Sequence, residues 1–575
     1  MSVRRPSSRG LAGGLLLGVL AVVLVRCAWI GDDAFISLRV VDNLLAGRGL
    51  TWNPDERVQV FTHPLWLLLT SAACAVTREL QFTVFALQLG MSLAAAALLA
   101  FGMARTTAAT VVSLALLIVS KPFVDYSTSG LENPLSHLLL LAFLLAWFQP
   151  DQGPGARRAL AVAGGLAMLN RHDLALVVLP PLATRLLWRP DRSRFAAAVI
   201  AVLPLAVWTA FATVYYGFAL PNTAYAKLGT GLTPADLAPQ GLLYVRNLVT
   251  RSPVTALVIL AGLVEALRRP RATGALGLGV LLYLAYTVRV GGDFMSGRFF
   301  TVPFVCSLAL LARGPLARPA WKGGAVGAAF LLAALAWPRC PVWSGRGYGS
   351  GGAADWDLES GITDERAVYY PSTGLLNVRW DARLPDHHWV EEGNAARLSG
   401  QTVVYQKGIG LFALAAGPTV HVVDAHALAD PLLARLPLSS ERWRIGHFVR
   451  NAPRGYLETL ATGRNEIHDP DLAQFYGRLS LLVRGRIWSR ERFRTIMDFQ
   501  LGRYDHYVEA WAERRRARRE LSSRGAPAEP GAEGSAVNAD PSARFLVSPG
   551  EGENQREPAG PSSPVADGAP QGDTL

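Results

Sequence analysis

Residues 11–54 read LAGGLLLGVLAVVLVRCAWIGDDAFISLRVVDNLLAGRGLTWNP, and the fold turns on what this stretch is. Its first half is an apolar run behind a basic flank, MSVRRPSSRG. No A-x-A-like cleavage site follows it; the chain moves directly to two adjacent acids, Asp32 and Asp33, with Arg39 two helical turns on. The expectation is an uncleaved first membrane span with its arginine-rich N-terminus in the cytoplasm, and paired carboxylates where hydrocarbon meets water.

Composition agrees with a membrane protein. The 575 residues are 51% hydrophobic and only 17% charged, with mean hydropathy +0.24. Long apolar runs recur, which indicates a polytopic helical membrane protein rather than a string of soluble domains. The net charge of +12 is not a nucleic-acid footprint, because the arginines sit in short clusters between apolar runs, where they determine topology. Cys27, Cys74, Cys306 and Cys340 are scattered and give neither a disulfide framework nor a zinc spacing.

A span needs roughly 20 apolar residues, fewer inside a bundle. Candidates lie near 11–30, 82–103, 107–121, 134–149, 158–170, 173–188, 195–216, 252–267, 273–289, 299–313 and 323–338, about eleven in all. HPLWLLLTSAACAV (63–76) is too short to cross and is expected to be re-entrant or interfacial. One set of loops (ARTTA, DQGPGARRA, RLLWRPDRSR, ALRRPRA, ARGPLARPAWK) is short and arginine-rich, hence cytoplasmic by the positive-inside rule. The alternate set holds the acids, amides, histidine and lysine: GDDAFISLR to VFTHP, DYSTSGLENP, NRHD, YYGFALPNTAYAK and RVGGDFMSGRF. Charge and chemistry thus agree on an extracytoplasmic site.

The expected domains are a membrane-embedded catalytic part, 1–339; an extracytoplasmic soluble α/β part, 340–515; and a disordered tail, 516–575. The middle part has strand-like runs (QTVVYQKG, PTVHVVDAH) and a helix-like one (DLAQFYGRLSLLVRG). The Ser-, Pro-, Gly- and Glu-rich tail cannot bury enough apolar surface to order itself.

Asp33 as the N-cap of the helix AFISLRVVDNLL is the plain alternative to chemistry. Capping needs one acid, however, and two beside an apolar slab carry a repulsion and desolvation cost. A general base, a metal ligand or both accounts for the pair better. In STSGLENP, Glu132 and Asn133 stand at the mouth of a span, where the helix dipole alone would favour an acid. NRHD contributes Arg171. In PNTAYAK, Asn222 and Lys227 flank aromatics, although a lysine there can simply snorkel. GGDFMSGRF offers Asp293 and Arg298 on a glycine-relaxed loop, and a planar, always charged arginine suits phosphate. Carboxylates for activating a hydroxyl and cations for a phosphate, with no nucleotide motif, imply glycosyl transfer from a membrane-bound sugar phosphate. The base deprotonates an acceptor hydroxyl, which attacks the anomeric carbon as the lipid phosphate leaves.

DDAFISLRVVDNLLAGRGLTWNPDERVQVFTHPLW, TSGLENPL, PNTAYAK and GGDFMSGRF resemble the polyprenyl-phosphate-dependent, GT-C-fold glycosyltransferases, above all the terminal β-(1→2)-arabinofuranosyltransferase family. GITDERAVYY, HVVDAHALADPLLARLP and WRIGHFVRNAPRGY extend the likeness, which spans roughly 28–500. One position departs: His63 stands where relatives often carry an amide, as in GYTNPLW.

The resemblance implies a multi-pass enzyme of the bacterial inner membrane with an outward-facing site. It would move an arabinofuranose-like sugar from a polyprenyl-phosphate donor to a cell-envelope glycan or glycolipid. Asp32 and Asp33 would be catalytic. Lys227, Arg298 and Arg39 would bind the donor phosphate; His63, Glu132, Asn133, Arg171, Asn222 and Asp293 would bind substrate. A divalent cation bridging carboxylates and phosphate is one way to hold the donor; Lys227 and Arg298 alone are the other. A lipid-linked sugar transporter or flippase would instead place ionisable groups near the bilayer midplane, often with internal repeats, and none is found. A non-catalytic envelope or flagellum-associated factor would leave the acids without a joint purpose.

Overall fold

The computed structural model describes residues 8–150, 153–187, 191–317, 332, 335–337, 339–343, 356–357, 360–379, 381–440 and 442–523. Two compact units divide the chain, Met1–Ala517 and Arg518–Leu575; all that follows concerns the first.

Every expected span up to residue 313 coincides with a helix: Ser8–Cys27, Gln81–Ala97 continuing to Met103, Thr107–Val119, Asn133–Phe148, Pro154–Asn170, Ala175–Leu186, Arg192–Tyr216, Pro253–Arg268, Pro270–Arg289 and Thr301–Arg313. The expected last span falls mostly outside the described residues, as does the tail beyond 523. Among the described helices, four are long and apolar enough to cross a membrane alone: Ser8–Cys27, Gln81–Met103, Arg192–Tyr216 and Pro270–Arg289. Leu11, Leu15, Val19 and Val22 on the first, and Phe195, Val199, Val202 and Val207 on the third, remain exposed. A face of that kind matches lipid rather than water. Pro234–Arg251 and Pro253–Arg268 meet at 110°, where Pro253 cannot donate the amide hydrogen bond that would carry the first helix onward. HPLWLLLTSAACAV forms Pro64–Thr77, a 14-residue helix.

The arginine-rich loops gather with one another. Arg9 donates to the carbonyls of Ala100 at 2.8 Å and Ala104 at 2.6 Å, and Arg185 to that of Trp147 at 2.7 Å. Arg313 lies over the Phe148 ring at 4.7 Å.

At the opposite loops the C-terminal segment is stitched to the membrane part. Val403–Gln406 and His421–Asp424 pair in parallel, Val403 opposite His421, at the two runs whose alternation suggested strands. The helix Glu365–Thr373 docks on the residues that lead into Asp32. Tyr370 donates from its hydroxyl to the Arg26 carbonyl at 2.6 Å, and Leu375 N–H to the Ala28 carbonyl at 2.9 Å. Tyr369 stacks on Trp29 with ring centroids 6.4 Å apart. Thr363 N–H donates to the Phe294 carbonyl at 2.7 Å, and the Thr363 carbonyl accepts from Ser296 N–H at 2.9 Å, which ties ITDER to the GGDFMSGRF loop.

Candidate active site

The helix Asp32–Leu45 starts without a side-chain cap: Gly31 is its N-cap, and both acids lie in the first turn. Two backbone contacts hold this start. Gly31 N–H donates to the Ser129 carbonyl at 3.0 Å. Gly130 then turns with φ +83°, and a side chain there would overlap Ala34 of the acids' own helix. Only glycine allows that approach.

The two acids do different things. Asp32 is buried, and its oxygens accept from the backbone amides of Gly410 at 2.9 Å and Leu411 at 2.7 Å. Burial pushes its carboxyl up to about 7 against those two hydrogen bonds. Asp33 makes no hydrogen bond or ion pair among the described residues. Burial raises its carboxyl as well, while Lys227 and Arg298 act to lower it and Asp293 and Glu132 to raise it. Asp33 is therefore the uncommitted carboxylate of the pair.

Around it runs a chain of alternating charges. Glu132, fully buried, lies at the start of Asn133–Phe148. Arg171 and Arg298 both donate to it, Arg298 at 3.1 Å. Arg171 also pairs with Asp173 at 2.5 Å, and Arg298 approaches Asp293 at 3.4 Å. His63 Nδ1 is 3.2 Å from the second Glu132 oxygen, and its Nε2 is 3.0 Å from the Ser37 hydroxyl. Burial pushes the imidazole down to about 4, so it is neutral near pH 7. Against the burial cost, Arg298, Arg171 and His63 hold the Glu132 carboxyl well below the usual range. A carboxylate paired in this way fixes cations; it is no proton acceptor.

The site-bearing loops accordingly converge. Asp33, His63, Glu132, Arg171, Asp293 and Arg298 share this network, with Lys227, exposed at the end of Asn222–Leu228, acting on Asp33 from its rim. Lys227 makes no hydrogen bond or ion pair among the described residues, and the buried Nε–H of Arg298 has no hydrogen-bond partner. The Asn133 side-chain amide donates to the Thr301 hydroxyl at 3.2 Å and leaves its oxygen, Oδ1, without a partner among the described residues.

Two expected ligands are engaged elsewhere. Arg39 is buried against the carbonyls of Trp52 at 2.8 Å, Val420 at 3.1 Å and Ala413, and lies over the Trp52 ring at 4.8 Å. Its donors join the loop that follows the first span to the C-terminal segment. The Asn222 amide donates to the carbonyls of Ala427, Leu428 and Asp430 at 3.0, 3.1 and 3.0 Å and accepts from Arg435 at 3.3 Å. The physical reason is common to both: a buried donor must be satisfied, and these loops offer uncovered carbonyls.

The structure also adds a carboxyl that the candidate list lacks. Glu365 is 7% exposed and makes no hydrogen bond or ion pair among the described residues. It faces Asp33, Arg444, Asp293 and Asp32 electrostatically. Its neighbours are committed, Asp364 to Lys121 at 2.9 Å and Arg366 to Asp125 at 2.9 Å. Three consecutive charged residues at the start of an aromatic-rich helix, Asp364 as its N-cap and Glu365 and Arg366 in its first turn, were the available signal. Among the described residues no group of three or more His, Cys, Asp or Glu side chains is placed to hold a metal ion, and no step below is routed through one.

No family model matches the chain. It is 32% identical over 514 residues to the terminal β-(1→2)-arabinofuranosyltransferase of Mycobacterium tuberculosis, covering 73% of this chain and 80% of that protein. The Corynebacterium glutamicum protein of the same description is 27% identical over 504 residues, covering 73% and 72%. Among solved structures, the Archaeoglobus fulgidus oligosaccharyltransferase is similar at TM-score 0.46 and 14% identity, covering 71% of this chain and 62% of that one. ArnT from Cupriavidus metallidurans, bound to undecaprenyl phosphate, is similar at TM-score 0.41 and 15% identity, covering 79% and 87%. With the first relative matched over four-fifths of its length, the chain belongs to the terminal β-(1→2)-arabinofuranosyltransferase family and is a membrane glycosyltransferase.

Proposed function

We propose that this enzyme transfers an arabinofuranose-like sugar from a polyprenyl-phosphate donor to a cell-envelope glycan on the outer side of the bacterial inner membrane. One observation carries the reading: Asp33 is an uncommitted carboxylate under the influence of Lys227 and Arg298, while its neighbour Asp32 is tied to backbone. A base and two cations around one space suit a hydroxyl acceptor and an anionic leaving group together.

Asp33 takes the proton of the acceptor hydroxyl, and the oxygen attacks the anomeric carbon. The bond from that carbon to the phosphate oxygen breaks, and its electron pair leaves with the polyprenyl phosphate. Lys227 and the free Nε–H of Arg298 balance the phosphate charge. Glu132, Arg171 and His63 hold Arg298 in place. The activity named for the family supports the sugar, and the segregation of arginine-rich loops from site-bearing loops supports the outward orientation.

The test is incubation of purified protein with a panel of polyprenyl-phosphate pentoses and an envelope glycan acceptor, following release of polyprenyl phosphate. Release with a furanose donor, lost in Asp33→Asn, is the expected result. No release from any donor, or unchanged turnover in that variant, overturns the reading.

A further inference from the structure

Glu365 is a carboxyl of this cluster that the proposed chemistry leaves unused and that, unlike Asp293 and Asp173, has no ion-pair partner among the described residues; its position is well fixed. The Thr363 backbone pairs with Phe294 and Ser296 on one side. On the other, the Glu365–Thr373 helix is pinned to Arg26, Ala28 and Trp29, just ahead of the paired acids. The acidic side chain is thus held where Asp33, Asp293 and Asp32 all act on it electrostatically, surroundings that oppose another negative charge. Its flanking residues are neutralised by Lys121 and Asp125; Glu365 itself is more than nine-tenths buried with neither a hydrogen bond nor an ion pair among the described residues.

A buried carboxylate with no partner is among the costliest arrangements a fold can hold, and the usual relief is to keep the proton. The groups facing it are Asp32 and Asp33 from the Asp32–Leu45 helix, Asp293 from the GGDFMSGRF loop, Tyr126 from the DYSTSGLENP loop, and Tyr369 and Arg444 from the C-terminal segment. Three of these are acids. The single cation, Arg444, already donates to the Gly361 carbonyl at 2.9 Å and the Thr363 hydroxyl at 2.5 Å. Burial first, then Asp33, drive the Glu365 carboxyl well above its ordinary range, with only Arg444 opposing them. Burial raises Asp33 too, but two cations, Lys227 and Arg298, act against it there, whereas Glu365 has only Arg444; of the two carboxyls Glu365 is the one whose surroundings more strongly favour keeping the proton.

We propose that Glu365 is a further substrate-binding residue of this active site, a neutral carboxyl that donates a hydrogen bond to a phosphate oxygen of the bound polyprenyl-phosphate sugar. This rests on the donor class proposed above. No covalent step is involved: the proton stays on Glu365, and Asp33 remains the base. A protonated acid can approach an anionic oxygen as an O–H donor, whereas an ionised one repels it. The C-terminal segment therefore supplies a pH-dependent element of donor recognition.

The experiment measures binding of a polyprenyl-phosphate pentose, without acceptor, from pH 6 to 10 to the full-length enzyme and to Glu365→Gln. The phosphodiester keeps one charge throughout, so its own titration does not intrude. The expected result is a wild-type affinity that falls about tenfold or more as Glu365 ionises at the alkaline end. In the variant, whose amide still donates, the affinity stays flat there. Coincident profiles overturn the role of Glu365 while leaving the donor class standing. No binding by wild type at any pH removes the donor class, and this proposal with it. Should Glu365→Gln fail to fold, difference infrared spectroscopy of the wild type decides. A protonated-carboxyl C=O band that shifts on adding donor is expected, and no shift in any such band overturns the proposal.

Discussion

The backbone amide of Gly410 donates to the Asp32 carboxylate at 2.9 Å, across a separation of 378 residues. A Cβ at Gly410 would overlap the Asp32 carbonyl oxygen and stand 2.7 Å from its carboxylate. Backbone of the C-terminal segment thus touches backbone at the first turn of the helix that carries Asp33.

Gly410→Ala must therefore push that turn away. An ångström of misplacement in a reacting group can cost on the order of 10²-fold. Single-turnover transfer should fall by about that factor in a variant that still binds donor through Lys227 and Arg298. Unchanged transfer would show that the contact does not set the position of Asp33.

The paired acids should separate cleanly. In Asp32→Asn one carboxylate oxygen becomes an NH2 facing a backbone N–H, and a buried donor is left unmatched at about 1–3 kcal/mol. Its main effect should be a lower unfolding temperature. Asp33→Asn has no such bonds to lose, so stability should hold while turnover drops about 10²–10⁴-fold, the usual loss for a positioned base. Equal effects of both substitutions on both measurements would sink the division of labour.

Much of this site was legible before any coordinates. Asp33, His63, Glu132, Arg171, Lys227, Asp293 and Arg298 come from five loops, and alternation of charge across apolar runs assigned them to one side. What could not be read is commitment. Arg39 and Asn222 look like ligands in sequence, yet they are satisfied by carbonyls 374 and 205 residues away. Glu365 was hidden in the reverse way. Within DER, two residues are consumed by distant partners and one is not, and nothing local distinguishes them. The helices were legible because the hydrocarbon slab imposes their length, whereas the stitching of the C-terminal segment onto the acids depends on single long-range hydrogen bonds.

Stability of the C-terminal segment should depend on pH through Asp424 and Asp430. Asp430 accepts from Leu433 N–H at 2.7 Å and from the Tyr456 hydroxyl at 2.9 Å. Burial raises Asp424 to about 6, and burial with Glu56 nearby raises Asp430 to about 7, from 3.8. A folded-state acid raised in this way binds extra protons only in the native state. Its contribution is complete below about pH 4 and is lost as pH rises through 6 and 7. At roughly 1.4 kcal/mol per pH unit, each contributes on the order of 3 kcal/mol; Asp32 acts in the same direction. Asp55, held down to about 2, works below pH 4 and does not intrude. Thermal unfolding should occur at progressively lower temperature from pH 5 to pH 8. Asp430→Asn, whose amide can still accept from Leu433 and donate to Tyr456, should flatten that slope. Parallel profiles for the two proteins would remove Asp430 from the account.

Lys227 and Arg39 make the last contrast, between a cation proposed to meet ligand and one that closes the fold. Lys227 is exposed, without a hydrogen bond or ion pair among the described residues, and acts on Asp33 from the rim of the cluster. Lys227→Gln should weaken donor binding about 10-fold or more, since hydrogen bonds to charged groups contribute about 1.5–3 kcal/mol. Transfer from the saturated complex should change little. Its dependence on salt should fall too, because the lost interaction is partly exposed and screened. Arg39→Met leaves the carbonyls of Trp52, Val420 and Ala413 without their donor. It should lower the unfolding temperature and loosen the C-terminal segment toward proteolysis, yet leave donor affinity unchanged in the folded fraction. The decisive measurement is donor affinity beside unfolding temperature for both variants in one detergent. Loss of affinity in Arg39→Met at full stability would return that arginine to the phosphate site, and unaltered affinity in Lys227→Gln would remove the lysine from it.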